Sequence, residues 1–241
     1  MRHSGKLALV IAILGACAVA LMLFGARMGL WQPITGFGLY RNYLTPVGLI
    51  VAGVGAVAFA IHLVRGEKGG MLAGGIAALV GLAFLAPQIE STINPPQRAA
   101  PIHNISTDTV NPPAFEVLDE TRAERANPLE YGGAEAAAAQ TAAYPDIAPL
   151  LTDLSPDAAY ERALTVARDM GWDIVASDAE RRRFEATAYT SVFYFADDVV
   201  VVVSEEANGS RVDMRSVSRI GRSDQGVNAA RIRAFQEQFG A

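Results

Sequence analysis

His103, Ser106, Thr107 and Asp108 put a base, two hydroxyls and a carboxylate within six residues, and His103 is the only histidine beyond position 62. Nucleophilic catalysis needs a base within hydrogen-bond reach of the nucleophile and a carboxylate to orient that base. This grouping therefore suggests a hydrolase with His103 as general base and Asp108 beside it. Triad members normally meet from different segments, so Ser216, Ser218 or Ser223 would supply the nucleophile, Ser218 among them as a candidate catalytic residue. None of these serines sits in a Gly-x-Ser-x-Gly elbow. The competing reading makes Ser106, Thr107 and Asp108 local side-chain to backbone turns that hold the chain in place.

A second concentration runs from Arg219 to Arg233. Arg219, Arg222, Ser223, Asp224 and Arg231 form a candidate ligand-binding set, with Arg233 nearby. Guanidinium groups beside a helix N-terminus offer a donor fork and free N–H groups to a carboxylate or phosphate. The alternative is an internal set of ion pairs, with Asp224 capping the last helix. No metal is expected: zinc needs three or four converging ligands, and the soluble half has one His and no Cys. Asp197-Asp198 and Glu205-Glu206 lack a calcium loop and read as polar strand ends. There is no glycine-rich phosphate loop and no dinucleotide fingerprint, so no cofactor is expected.

The elements that must position these residues are legible from Ser155 onward. Ser155 caps a helix with Pro156 at its first position, and Tyr160, Ala163, Leu164, Ala167 and Met170 share a face until Gly171 ends it. Trp172 to Ser177 and Phe184 to Thr190 read as strands, and Val199 to Val203 as a central one. Asn208-Gly209 signals a hairpin turn, with Arg211 to Ser218 as the return strand. A helix from about Asn228 closes the chain. The expected soluble domain is α+β: an antiparallel sheet of about four strands with two helices on one face.

Residues 95–150 carry Pro95-Pro96, Pro101, Pro112-Pro113, Pro128, Pro145 and Pro149, which oppose long regular elements. One short helix over Ala134 to Ala143 is expected. The stretch is too long and too apolar for a simple tether, so it should wrap over the folded domain, whose core is residues 151–241.

Residues 1–94 read as a membrane region. Leu7 to Phe24 is an uncharged run of 18 residues, close to the length that spans a hydrocarbon core of roughly 30 Å. Pro46 to Val64 and Met71 to Ile89 are two further spans. Leu14-Gly15-Ala16-Cys17 resembles a lipoprotein cleavage box, but the apolar run continues past it, so a spanning helix is favoured. Gly25 to Leu44, with Trp31, Phe37, Tyr40 and Tyr43, reads as a loop at the lipid headgroups. Gly70, Gly74, Ala77 and Gly81 place small residues on the third helix where another helix could approach. His62, near a helix end with no chain of intramembrane acids, reads as interfacial.

Orientation follows from the flanking basic residues. Arg2, Lys6, Arg65 and Lys68 would be cytoplasmic, against Arg27, Arg41 and Arg98 outside. Three spans then place the C-terminal domain across the bacterial inner membrane, in the periplasm. Overall the 241 residues are 51% hydrophobic and 19% charged, with net charge −5 and mean hydropathy +0.23. That balance divides unequally. Residues 1–98 carry seven basic residues against two acids, and residues 99–241 carry 13 arginines against 23 acids. A domain so acidic is not a nucleic-acid binder, and it should be repelled by an anionic bilayer.

Three strings in the soluble half, in order, carry a family resemblance. They are Pro101 to Asp108 with Pro112-Pro113 and Phe115, Tyr144 to Ile147 with Pro149-Leu150, and Ser216 to Asp224 leading into Gly226, Asn228, Arg231, Ile232 and Phe235. Over residues 99–239 the chain resembles the bacterial and plastid family catalogued as domain of unknown function 1499. Some members carry membrane spans ahead of the domain. The resemblance implies a domain boundary and candidate positions but no reaction. Together these readings lead to a three-span membrane protein presenting a domain that binds a partner or a small anionic ligand. The alternative is a membrane-anchored hydrolase using His103.

Overall fold

The computed structural model describes residues His3–Pro95 and Ala100–Gly240. Arg2, Pro96 and Arg98, which entered the charge count and the Pro-rich pattern, lie outside them. The chain forms two compact units: Met1–Gln97 with Ser191–Tyr194, and Arg98–Thr190 with Phe195–Ala241.

The N-terminal unit contains α1 (Ser4–Phe24), α2 (Pro33–Val64) and α3 (Lys68–Ile93), each long and apolar enough to cross a membrane. Their small residues permit close packing. A β carbon on Gly55 would meet the Ala78 backbone at 2.3 Å, and one on Gly81 would meet Ala52 at 2.2 Å. The segment expected to be a headgroup loop is largely helical instead. Pro33 supplies a first helical position at which a missing N–H costs nothing, and α2 runs on from there through Pro46.

The second unit begins with β1 (Asn104–Ser106), α4 (Gly133–Ala143) and β2 (Leu150–Thr152). It continues with α5 (Pro156–Asp169), β3 (Asp173–Asp178), β4 (Arg183–Tyr189), β5 (Ala196–Glu206), β6 (Gly209–Ser218) and α6 (Val227–Gly240). The sheet is antiparallel in the order β1-β6-β5-β4-β3, with β2 also paired to β6. It therefore has six strands, not four. The two extra strands are three residues each, too short to show alternation; β1 lies in the Pro-rich stretch and β2 at its end, beside opposite halves of β6. A third helix, α4, is the short one expected within the Pro-rich stretch, and it begins one residue earlier.

Alternation along the strands sorts the two faces of the sheet. Phe184, Ala186, Val199, Val201, Val212 and Met214 form the core with Tyr160, Leu164, Ile232 and Phe235 of α5 and α6. The Ser155 hydroxyl accepts the Ala158 N–H and caps α5. The hairpin turn falls one residue earlier than expected. Glu206 pairs with Gly209, leaving Ala207-Asn208 as the loop, and the positive φ of +138° belongs to Gly209.

The opposite face carries charged and polar side chains, and part of the Pro-rich stretch, residues 113–131, crosses it as a strap. Phe115, Leu118 and Leu129 pack there against Val217. Burying a charge is costly unless it is paired and hydrogen-bonded, and three adjacent strands present one each. Glu185 on β4 accepts the N–H groups of Glu116, Val117 and Leu118. Asp198 on β5 takes Arg122 Nε at 2.6 Å. Arg215 on β6 donates to the Pro113 and Leu129 carbonyls.

Candidate functional site

The sheet distributes the arginine-rich segment to its two sides. Arg219 lies on the strap side, where its Nη2 meets Asp198 Oδ1 at 2.7 Å and Thr187 Oγ1 at 2.8 Å. Burial opposes the Arg219 cation, yet its hydrogen bond and charge pairing with Asp198 hold its pKa above the ordinary value. Asp197 and Asp198, expected as polar strand ends, are buried inside β5 at 2% and 0% exposure. They face opposite ways because successive strand residues do.

On the helix side, Arg231 Nη2 meets Asp197 Oδ2 at 2.5 Å. Burial pushes the Asp197 carboxyl above its usual range, against the pull of Arg231 and of the Ser218 hydroxyl. Asn228, fully buried, ties this group together. Its Oδ1 accepts from Ser216 Oγ and Arg231, and its Nδ2 donates to Ser218 Oγ and to the His103 carbonyl. Asp224 accepts the Gly226 and Asn228 N–H groups and so caps the start of α6. Ser223 Oγ donates to the Ala100 carbonyl. Arg222 is exposed and, among the described residues, has no ion-pair partner. Of the five candidate ligand residues, Asp224 and Arg231 thus share one buried network, Arg219 joins another across the sheet, and Arg222 alone offers a free cation.

The hydrolase candidates part in the same way. His103 stands just before β1, and its carbonyl accepts the Ser218 N–H at 2.9 Å. Asp108 sits past the other end of β1, where its carboxylate accepts the Val110 and Asn111 N–H groups and pairs with Arg211 at 2.7 Å. The Asn111 and Val110 N–H groups and the Arg211 charge hold Asp108 below the usual carboxylate range. Ser106 Oγ donates to the Asp108 carbonyl. Thr107 Oγ1 donates to Asp213 and accepts the Met214 N–H. Ser106 and Asp108 thus make local bonds to the backbone, whereas Thr107 is tied to β6.

The His103 side chain is differently placed. It lines a cleft of about 820 Å³, with Pro101, Ile102, Pro128, Tyr131 and Ala136 among its walls and Glu130 and Glu135 also present. Among the described residues the His103 ring makes no hydrogen bond. The Gly132-Gly133 start of α4 also faces the cleft, and no side chain caps it. No group of three or more His, Cys, Asp or Glu residues able to hold a metal occurs among the described residues.

A family model described as Protein of unknown function (DUF1499) matches residues 104–239, more than half of the chain. The chain belongs to this family. No curated protein matches it. The DUF1499 match begins at β1 and ends within α6, so it takes in the strap and the sheet, while Pro101, Ile102 and His103 of the cleft stand just before it. The three strings that carry the resemblance map to β1 with the segment after it, to the link between α4 and β2, and to the passage from β6 into α6.

Sequence reasoning missed Glu185, Arg215 and Asn228. Arg215 is 3% exposed, with Phe115 and Tyr131 rings at 5.5 Å from its guanidinium carbon. Its Nε donates to Asn104 Oδ1, and burial draws its pKa down to about 10. The available signal was one of phase. Glu185 and Arg215 alternate with apolar neighbours in strands whose other face is core, and such positions buried under a strap must find partners.

Proposed function

We propose that the chain is a multi-pass membrane protein whose DUF1499 domain is a binding module, and that its ligand is a small anion with an apolar body taken into the His103 cleft. The observation that carries this reading is His103, which lines the cleft and whose ring has no hydrogen-bond partner among the described residues, while the buried charges around the sheet are paired or hydrogen-bonded. The uncapped start of α4 adds N–H groups suited to an anionic end. Ile102, Pro128 and Ala136 offer contact to a hydrocarbon portion. Exposed Glu130 and Glu135 disfavour multiply charged anions, which narrows the class to monocarboxylates. The arginine segment is the weaker site, because Arg219 and Arg231 are engaged with Asp198 and Asp197.

The test is calorimetric titration of the full chain in detergent with a series of short-chain monocarboxylic acids. Binding that strengthens with chain length and is lost in His103→Ala is expected. Binding indifferent to His103→Ala but abolished by Arg222→Ala would return the site to the arginine segment.

A second reading, a membrane-anchored hydrolase with His103 as general base, is favoured by the same imidazole. Ester, phosphoester and amide substrates, with His103→Ala as control, distinguish it from binding alone. For the address, three apolar helices and the basic N-terminal flank support the cell inner membrane, an N-terminus in the cytoplasm and a periplasmic domain. Alkaline phosphatase fused after Ala241 should be active; a fluorescent reporter that lights only in the cytoplasm would reverse the orientation.

A further inference from the structure

The N-terminal unit holds a set of polar side chains that the binding reading leaves unused. His62, in the last turn of α2, is 3% exposed. Its Nε2 lies 3.0 Å from Ser4 Oγ and accepts the Gly5 N–H at 3.2 Å. A backbone N–H can only donate, so Nε2 carries the lone pair and the ring proton sits on Nδ1. Nδ1 lies 2.5 Å from Glu67 Oε2. Hydroxyl, imidazole and carboxylate therefore follow one another in the order by which hydrolases turn a serine into a nucleophile. They come from three places: the start of α1, the end of α2 and the residue before α3. Packing locks the ring, since a β carbon on Gly70 would come within 2.2 Å of it. Ser4 is half-buried and the Glu67 side chain is 44% exposed, so the relay reaches the surface while its base stays enclosed.

We infer that Ser4, His62 and Glu67 form a nucleophilic site for the acyl ester of an anionic lipid. The three residues share the end of a bundle whose helices have the length and apolarity of membrane spans. That end is where a lipid's ester groups lie, between hydrocarbon and water. Exposed Lys6 and Lys68, on the same helix ends, favour an anionic headgroup.

In the reaction, Ser4 Oγ attacks the ester carbonyl carbon as its proton passes to His62 Nε2. Glu67, a positioning residue, steadies the imidazolium. The bond to the alcohol oxygen breaks, and His62 returns the proton to that oxygen. Water, deprotonated by the same nitrogen, then releases the fatty acid and restores Ser4. Once protonated, Nε2 no longer accepts the Gly5 N–H, which is free to donate to the oxyanion. The N–H of the residue after the nucleophile has that role in other hydrolases.

The experiment uses the full chain in mixed micelles containing phosphatidylglycerol. An alkyl fluorophosphonate should lose fluoride and leave its phosphonyl group on Ser4, located by peptide mass spectrometry, and fatty acid should be released from the phospholipid. Ser4→Ala, which removes one hydroxyl from a helix start, should abolish both and keep the parent melting temperature. His62→Gln and Glu67→Gln should slow labelling about a hundredfold, with Glu67→Asp recovering part of the rate and the parent pH profile. An unmodified Ser4 together with no fatty acid released by the parent chain overturns the inference. So does labelling at an unchanged rate in His62→Gln and Glu67→Gln variants that melt like the parent, which would leave His62 as a packing junction only.

Discussion

The Leu118 N–H donates to Glu185 Oε2 at 2.7 Å across 67 residues of sequence, and the Glu116 N–H reaches Oε1 of the same carboxylate at 2.6 Å. One buried side chain on β4 thereby satisfies three successive backbone donors of the strap. Glu185→Ala should orphan them beside Arg183 and cost about 3–5 kcal/mol, the range for removing one partner of a buried charged group. Hydrogen exchange locates the effect. The amides of residues 116–118 should lose protection while the β5–β6 ladder keeps its own, and unchanged exchange there would mean that the strap is held elsewhere.

Arg219 and Arg222 are three residues apart and should respond in opposite ways to the same change. Arg219→Ala leaves Asp198, fully buried, with Arg122 as its one remaining guanidinium partner among the described residues. A loss of about 3–5 kcal/mol follows. Arg222→Ala removes an exposed side chain and should stay within about 0.5 kcal/mol of the parent. Urea unfolding followed by Trp172 fluorescence in a Trp31→Phe background compares them, and equal effects would contradict the pairing described for Arg219.

The contrast between those arginines also marks how far sequence could reach. Strands β4 and β6 and helix α5 were legible because their apolar residues repeat with the period of a strand or a helix, and β5 because Val199 to Val203 is an unbroken β-branched run. β1 and β2 were not, since three residues hold barely one period and their pairing depends on β6, some 60 to 110 positions away. The candidate site was legible as residue types only. Asp197 and Asp198 are neighbours in the chain, yet the pleat sends one to Arg231 and the other to Arg219. Nothing local distinguishes an arginine that answers a buried carboxylate from one that meets solvent. His103 was found for its chemistry, whereas its cleft depends on α4 and the strap coming alongside it.

Asp108 provides a pH test with a definite sign. Its carboxylate is held below the ordinary value of 3.8 in the folded chain by the Asn111 and Val110 N–H groups and by Arg211. A carboxylate whose pKa falls on folding stabilises the fold above its unfolded value, and the contribution disappears as pH drops through the folded one. Asp108→Asn should therefore destabilise the domain near neutrality by about 1–2 kcal/mol. The gap between variant and parent should close as pH is lowered below 3.8. A gap constant from neutrality to that region would show that the carboxylate charge contributes nothing there.

Gly209 tests the edge of the sheet where β2 and β6 meet. Its φ of +138° lies in a region that L side chains rarely adopt, and an added β carbon would fall 2.0 Å from the Thr152 carbonyl oxygen. Gly209→Ala must therefore strain the backbone and push β2 away at once, a combined cost of about 2–5 kcal/mol. The β5–β6 hairpin itself has no such need at its loop, because neither Ala207 nor Asn208 takes positive φ. Asn208→Ala should consequently be nearly neutral. Thermal melts of both variants, with hydrogen exchange at residues 150–152, separate the two positions. If Asn208→Ala proved the more damaging, the turn would lie at Asn208-Gly209 as the dipeptide signal suggests, and β2 would not be what constrains Gly209.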